Sequence, residues 1–153
     1  MGPRPTIADP VPDYDLDRFL DAQADIYPQA LEELRAGAKR SHWMWFVFPQ
    51  LDGLGTSATS RRYAIRSLEE AGAYLRHPVL GARLVECTEA VNALEGLSAS
   101  RIFGTPDDRK FRSCMTLFEL VSGSGSPFDS ALAKYFSGER DPRTLELVRI
   151  ASQ

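Results

Sequence analysis

The sequence predicts an all-α chain, a single globular domain of about seven helices with no substantial sheet. Three observations carry this. A residue able to cap a helix stands directly before a proline at Thr105-Pro106, Ser126-Pro127 and Asp141-Pro142. Proline fits the first helical position because its missing N–H has no partner there anyway. Apolar residues recur three and four apart over several segments, and nowhere does sustained alternation meet a hairpin turn.

The elements follow in order. Residues 1–14, MGPRPTIADPVPDY, hold four prolines and little periodicity, so they read as a flexible or extended arm before a domain over 15–153. Leu16, Leu20, Ile26, Leu31 and Leu34 predict a helix from Asp15 to Arg35, kinked or divided at Pro28 and ended by Gly37. A short element over Trp43 to Phe48 follows, with Ser41 as its cap and Pro49 forcing Phe48 out of the α region. Ser67-Leu68-Glu69-Glu70 is a capping box that opens a helix to about Arg76. His77-Pro78 opens the next, where Leu80, Leu84, Cys87, Val91 and Leu94 form one apolar stripe closed by Gly96. A turn at Ala99 to Phe103 leads to helices opened by Pro106, Pro127 and Pro142, the first two ending near Gly123 and Gly138 as left-handed caps require.

Composition bounds function. The chain has 153 residues, 43% hydrophobic and 25% charged, which suits one soluble core and excludes disordered and fibrous classes. Eighteen Lys+Arg against 21 Asp+Glu give a net charge of -3, so bulk nucleic-acid binding is not expected, whereas a local basic pocket for a small anionic ligand is compatible. Cys87 and Cys114 form no CxxC pair and are expected reduced and buried. The apolar run Trp43 to Phe48 is too short to cross a bilayer and no apolar leader opens the chain, so no membrane association is expected and the expected location is cytoplasmic. His42, His77, Cys87 and Cys114 lack ligand spacing, and neither a GxSxG turn nor a nucleotide-binding glycine motif occurs, so no metal and no cofactor is assigned.

Two stretches invite a functional reading. In KRSHWMWFVFPQ, Lys39 through Gln50, the aromatics serve either as core or as the wall of a site. Lys39, Arg40 and Ser41 precede them at an expected helix N-terminus, where free N–H groups favour an anion. There Trp43 is placed to stack on a ring, and His42 is the candidate acid or base, its alternative being a structural surface histidine. In the following LDGLGTSATSRRY, Gly53 and Gly55 permit unusual backbone angles, Thr56 or Ser57 caps a helix, and Arg61, Arg62 and Tyr63 lie about a turn inside it. That is either an anion-binding loop or a plain turn and cap. On the helix from Pro106, Arg109, Arg112, Thr116 and Glu119 form an expected solvated stripe. Lys110 and Ser113 fall among apolar neighbours, where polar groups need partners or a cavity. The combined expectation is a pocket built from 39–43, 50–63 and 110–113, with Gln50 at its edge, that binds or processes a nucleotide-like anion. The alternative is a protein-interaction module presenting the aromatic block.

The run KRSHWMWFVFPQLDGLGTSATSRRYAIRSLEEAGAYLRHPVLGARL, with IFGTPDDRKFRSCMTLFEL and DPRTLELV, resembles the DUF1810 family over roughly residues 15 to 148. The pattern includes Ser41, His42, Trp43, Trp45, Phe46, Pro49, Gln50, Gly53, Gly55, Arg62, Tyr63, His77, Pro78, Gly81, Lys110 and Ser113. The resemblance implies a mainly helical single-domain fold and implies no activity.

Overall fold

Ten helices run through residues 14–151, the part of the chain that the computed structural model describes. They are α1 (Asp17–Gln23), α2 (Tyr27–Ala36), α3 (Met44–Val47), α4 (Ala58–Arg62), α5 (Leu68–Arg76), α6 (Leu80–Asn92), α7 (Ala99–Phe103), α8 (Asp107–Ser122), α9 (Pro127–Phe136) and α10 (Pro142–Ala151). Among the described residues, bridging between extended segments is confined to the parallel pair Leu51 and Ile65. The helical class is as expected, and the surplus over seven comes from α3, α4 and α7, each of four or five residues. The expected arm lies outside the described residues except for Tyr14.

Local chemistry sets most boundaries. Pro28 stands in the first turn of α2, so it divides the front segment rather than kinking one helix. Ser67 Oγ accepts from the Glu70 N–H at 3.0 Å, and Ser126 Oγ does the same for Asp129 at 3.1 Å. Glu70 does not close the expected box on Ser67, because its carboxylate reaches one residue further back, to the Arg66 N–H at 3.0 Å. His77 Nδ1 accepts from the Val79 and Leu80 amides at 3.1 and 3.2 Å, so an imidazole caps α6. Two expected caps are absent. Thr105-Pro106 is a cis peptide and α8 starts after it with no side-chain cap. Ser41 does not cap α3 either, since Trp43 stands at that position.

Helix α8 is the axis, packing against α5, α7, α9 and α10. Its buried face runs through Phe111, Cys114, Met115, Leu117 and Phe118, all fully inaccessible. Packed rings extend from it: Phe48 stands edge-on to Phe111 at 5.1 Å, and Tyr74 is tilted against Phe118 at 5.5 Å and edge-on to Phe19 at 5.0 Å. Cys87 and Cys114 are free and buried, and burial pushes the Cys87 thiol up to about 12. The expected solvated stripe on α8 is corrected. Thr116 and Glu119 are buried under the chain leading into α10, where Thr116 Oγ1 accepts from the Asp141 N–H at 2.9 Å and Arg140 grips Glu119 through two bonds of 2.7 and 2.8 Å.

Two glycines of neighbouring helices should respond oppositely to alanine. A Cβ at Gly81 would stand 1.9 Å from the Leu75 carbonyl oxygen, a backbone atom fixed by α5. At Gly72 it meets only the mobile guanidinium of Arg76, at 3.0 Å. Gly81→Ala is therefore expected to lower stability by ~3 kcal/mol through overpacking. Gly72→Ala should raise it by ~0.5–1 kcal/mol through helix propensity and lost unfolded-state entropy. Urea unfolding of both variants gives the two signs, and equal effects would contradict this packing.

Candidate functional site

The first expected anion site is already occupied by the protein's own carboxylate. Glu33, on α2, is 7% exposed and points into the turn after that helix. Its Oε1 accepts from the Arg40 amide at 2.8 Å, the Ser41 amide at 3.0 Å and the Trp43 indole N–H at 3.0 Å. Its Oε2 accepts from Ser41 Oγ at 2.6 Å and Gln29 Nε2 at 3.0 Å. Burial alone would raise its pKa, but these bonds outweigh burial and hold the carboxyl down to about 2. The amides expected to be free for a ligand at 40–41 are thus satisfied internally. Trp43 is 0% exposed and offers no ring face to a ligand, which corrects its expected stacking role. Of the aromatic block, Met44, Val47 and Phe48 are also core, whereas Trp45 and Phe46 are half-buried.

The basic residues of that stretch are distributed similarly. Lys39 Nζ lies 2.8 Å from Asp107 and donates to the Ser41 carbonyl at 2.7 Å, while Lys110 Nζ stands 3.7 Å from the other Asp107 oxygen. One α8 carboxylate therefore sits between the two lysines. Arg40 and His42 are exposed, and His42 makes no side-chain hydrogen bond with a described residue. Ser113 is buried and donates to the Arg109 carbonyl at 3.1 Å, a bond within its own helix. Two of the three expected segments converge: Gln50 and Tyr63 of 50–63 meet Lys110 of 110–113 beside Trp45, with Lys110 Nζ 5.5 Å from the indole centre, whereas none of 39–43 lines this spot. The hollow between them is about 10 Å³, room for roughly one water.

The glycine loop is closed by the bridge at its base, where Ile65 N–H donates to Gln50 at 2.9 Å and Asp52 N–H to Ile65 at 2.7 Å. Ser57, not Thr56, caps α4 by accepting from the Ser60 amide at 3.1 Å. Packing accounts for both glycines. A Cβ at Gly55 would lie 2.5 Å from that of Ser60, and at Gly53, where φ is +102°, 3.2 Å from Leu147. Neither spacing shows a backbone bared for a ligand. Arg61 and Arg62 are exposed at the end of α4.

Arg62 looks away from the tryptophans into a larger cleft of about 560 Å³. Its lining includes Tyr14, Asp15, Arg18, Arg62, Arg66, Ser67 and Glu70. The floor is rigid. Arg18 donates to the carbonyls of Tyr14, Asp15, Arg62 and Ala64 at 2.6 to 2.8 Å and pairs with Glu70 at 2.9 Å, both side chains being nearly inaccessible. Arg62 and Arg66 differ from Arg18: their guanidinium groups are exposed and make no hydrogen bond or ion pair with a described residue. Sequence reasoning picked out Arg62 and missed Arg18, Arg66 and Glu70. The capping signal at Ser67-Glu70 was the one available pointer to them, because it places Arg66 just outside a helix start.

The Glu33 web has a pH signature. A carboxyl lowered from 4.5 to about 2 on folding contributes stability that is complete above its unfolded value and is lost as pH falls through the folded value. The loss should amount to ~3 kcal/mol between about pH 5 and pH 2. Glu33→Gln should cost ~2–3 kcal/mol near neutrality by breaking buried bonds. It should also flatten the acid limb of stability against pH, measured as urea midpoints. An unchanged acid limb in the variant would contradict the web.

A family model described as "Protein of unknown function (DUF1810)" matches residues 13–148. No curated protein matches the chain. Among solved structures, the chain is similar to the conserved hypothetical protein Rv1873 from Mycobacterium tuberculosis, with 54% identity and a TM-score of 0.88, covering 90% of this chain and 99% of that one. The family match extends across the Glu33 turn, the glycine loop and the arginine cleft alike, and the chain belongs to the DUF1810 family.

Proposed function

We propose that this domain binds a compact anionic small molecule, a phosphate or carboxylate carrier of nucleotide size, in the cleft bounded by Arg18, Arg62 and Arg66. The observation that carries the reading is the pair of exposed guanidinium groups, Arg62 and Arg66, without a described acidic partner beside a cleft of about 560 Å³. Three guanidinium groups line it against the two carboxylates of Asp15 and Glu70, and Glu70 is already paired with Arg18. Arginine is suited to this task because its planar fork binds oxyanions through two parallel bonds. A floor fixed by Arg18 supports the reading further, since a ligand then meets a preformed wall and orders only two side chains. Tyr14 also lines the cleft, and its carbonyl is one of the groups that fix Arg18.

This placement keeps the expected anionic ligand and moves it. Of the residues singled out in the sequence, Arg62 carries the proposal, while Lys39, Arg40, Ser41 and Trp43 are assigned to the Glu33 and Asp107 networks. The rival reading, an interaction module presenting the aromatic block, has less support. Trp43, Met44, Val47 and Phe48 are buried, and the exposed large hydrophobic residues among those described are Val79, Leu145 and Ile150.

Thermal melting in the presence of inorganic phosphate, AMP, ADP-ribose and glucose 6-phosphate tests the reading. At least one should raise Tm, by about 3 °C or more at saturating concentration. Arg62→Ala with Arg66→Ala should abolish the shift, and His42→Ala should preserve it. No shift from any compound, or a shift that survives loss of both arginines, would overturn the proposal.

A further inference from the structure

Arg66 and Ser67 do not line the arginine cleft alone. They also line a second hollow of about 350 Å³, on the side facing the last helix. The two hollows therefore flank these residues, and they differ in chemistry. In the second one the walls are aliphatic: Leu51 and Leu68 on one side, Leu147 and Ile150 of α10 on the other. Ile150 is 51% exposed on the rim of this hollow. The polar groups added there, Asp52 and Glu69, are acidic. They repel a second anionic group, and none of the described residues lining the hollow is aromatic, so a nucleobase finds no ring there to stack on.

We infer that the ligand is a single-headed amphiphile, one phosphate or carboxylate held by Arg62 and Arg66 with an uncharged aliphatic extension running past Ser67 into the groove between Leu68 and α10. This rests on the function proposed above and narrows its ligand class. Charge decides the polarity of binding: the head lies at the exposed arginines, which have no acidic partner among the described residues, and the chain lies where the walls are apolar and the rim is acidic. The ligand is soluble and enters singly. Beside Ile150, the exposed large hydrophobic residues among those described are Val79 and Leu145, and neither of them lines this groove.

The test is a calorimetric titration of the full chain with ethyl, butyl, hexyl and octyl phosphate below their micelle concentrations, beside inorganic phosphate, AMP and the matching alcohols. Affinity should rise about two- to fourfold per added methylene until the groove is filled. Ile150→Asp changes an exposed side chain and leaves the core intact. It should remove this dependence while keeping the affinity for ethyl phosphate, and Arg66→Ala should weaken every phosphate. Binding of phosphates with no chain-length dependence, or of AMP in preference to octyl phosphate, would overturn the aliphatic extension and leave the arginine head site standing. Absence of binding by every phosphate would overturn both. Alcohols that bind as well as the phosphates would overturn the head assignment. With phosphatidic acid vesicles no co-sedimentation is expected, and co-sedimentation would overturn the soluble ligand.

Discussion

The local architecture around the aromatic block depends on a buried anion. Glu33 accepts five hydrogen bonds from Gln29, Arg40, Ser41 and Trp43, and in doing so it fixes the chain that leaves α2. A carboxylate so enclosed is costly to bury and tolerable only because its oxygens are saturated. Saturation in turn orients the Trp43 indole, which lies 6.2 Å from Phe48, and Phe48 packs on the rings of Phe103 and Phe111. One polar side chain thus sets the register of an aromatic core that apolar packing alone would leave degenerate.

The same arrangement sorts the molecule's positive charge. Lys39 and Lys110 face Asp107, Arg140 faces Glu119, and Arg18 is fixed by Glu70 and four carbonyls. Arg62 and Arg66 stand outside these networks, on either side of the short bridge that closes the glycine loop at Gln50 to Asp52 and Ile65. The loop therefore has two different sides. One side, toward Trp45 and Lys110, is packed down to a space for about one water. The other opens on Arg62 and holds the cleft.

Much of the fold was legible because it is written in local chemistry. Pro28, Ser67, His77, Ser126 and Asp141 act at helix starts through contacts within a few residues, and such contacts leave a sequence signature. What was not legible depends on partners distant in the chain. Nothing in the stretch Lys39 to Trp43 shows that Glu33 turns back to meet it, so the amides there read as free. Nothing in the α8 spacing shows that Arg140 and Asp141 return to cover Glu119 and Thr116, so a buried stripe read as a solvated one. The site divided in the same way. Arg62 was visible beside two glycines, but Arg18 and Arg66 gain significance only when α1, the loop and α5 come together.

Glu33 fills the amide site at residues 40–41, and we propose that an external anion goes instead to Arg62 and Arg66. Chemical-shift mapping of the isotopically labelled full chain during titration with butyl phosphate tests this most directly. Saturable shifts are expected at the Arg62 and Arg66 Nε–H groups and the Ser67 amide, with the Arg40 and Ser41 amides and the Trp43 indole N–H unmoved. Saturable shifts at the Arg40 and Ser41 amides, with the two guanidinium groups silent, would contradict it.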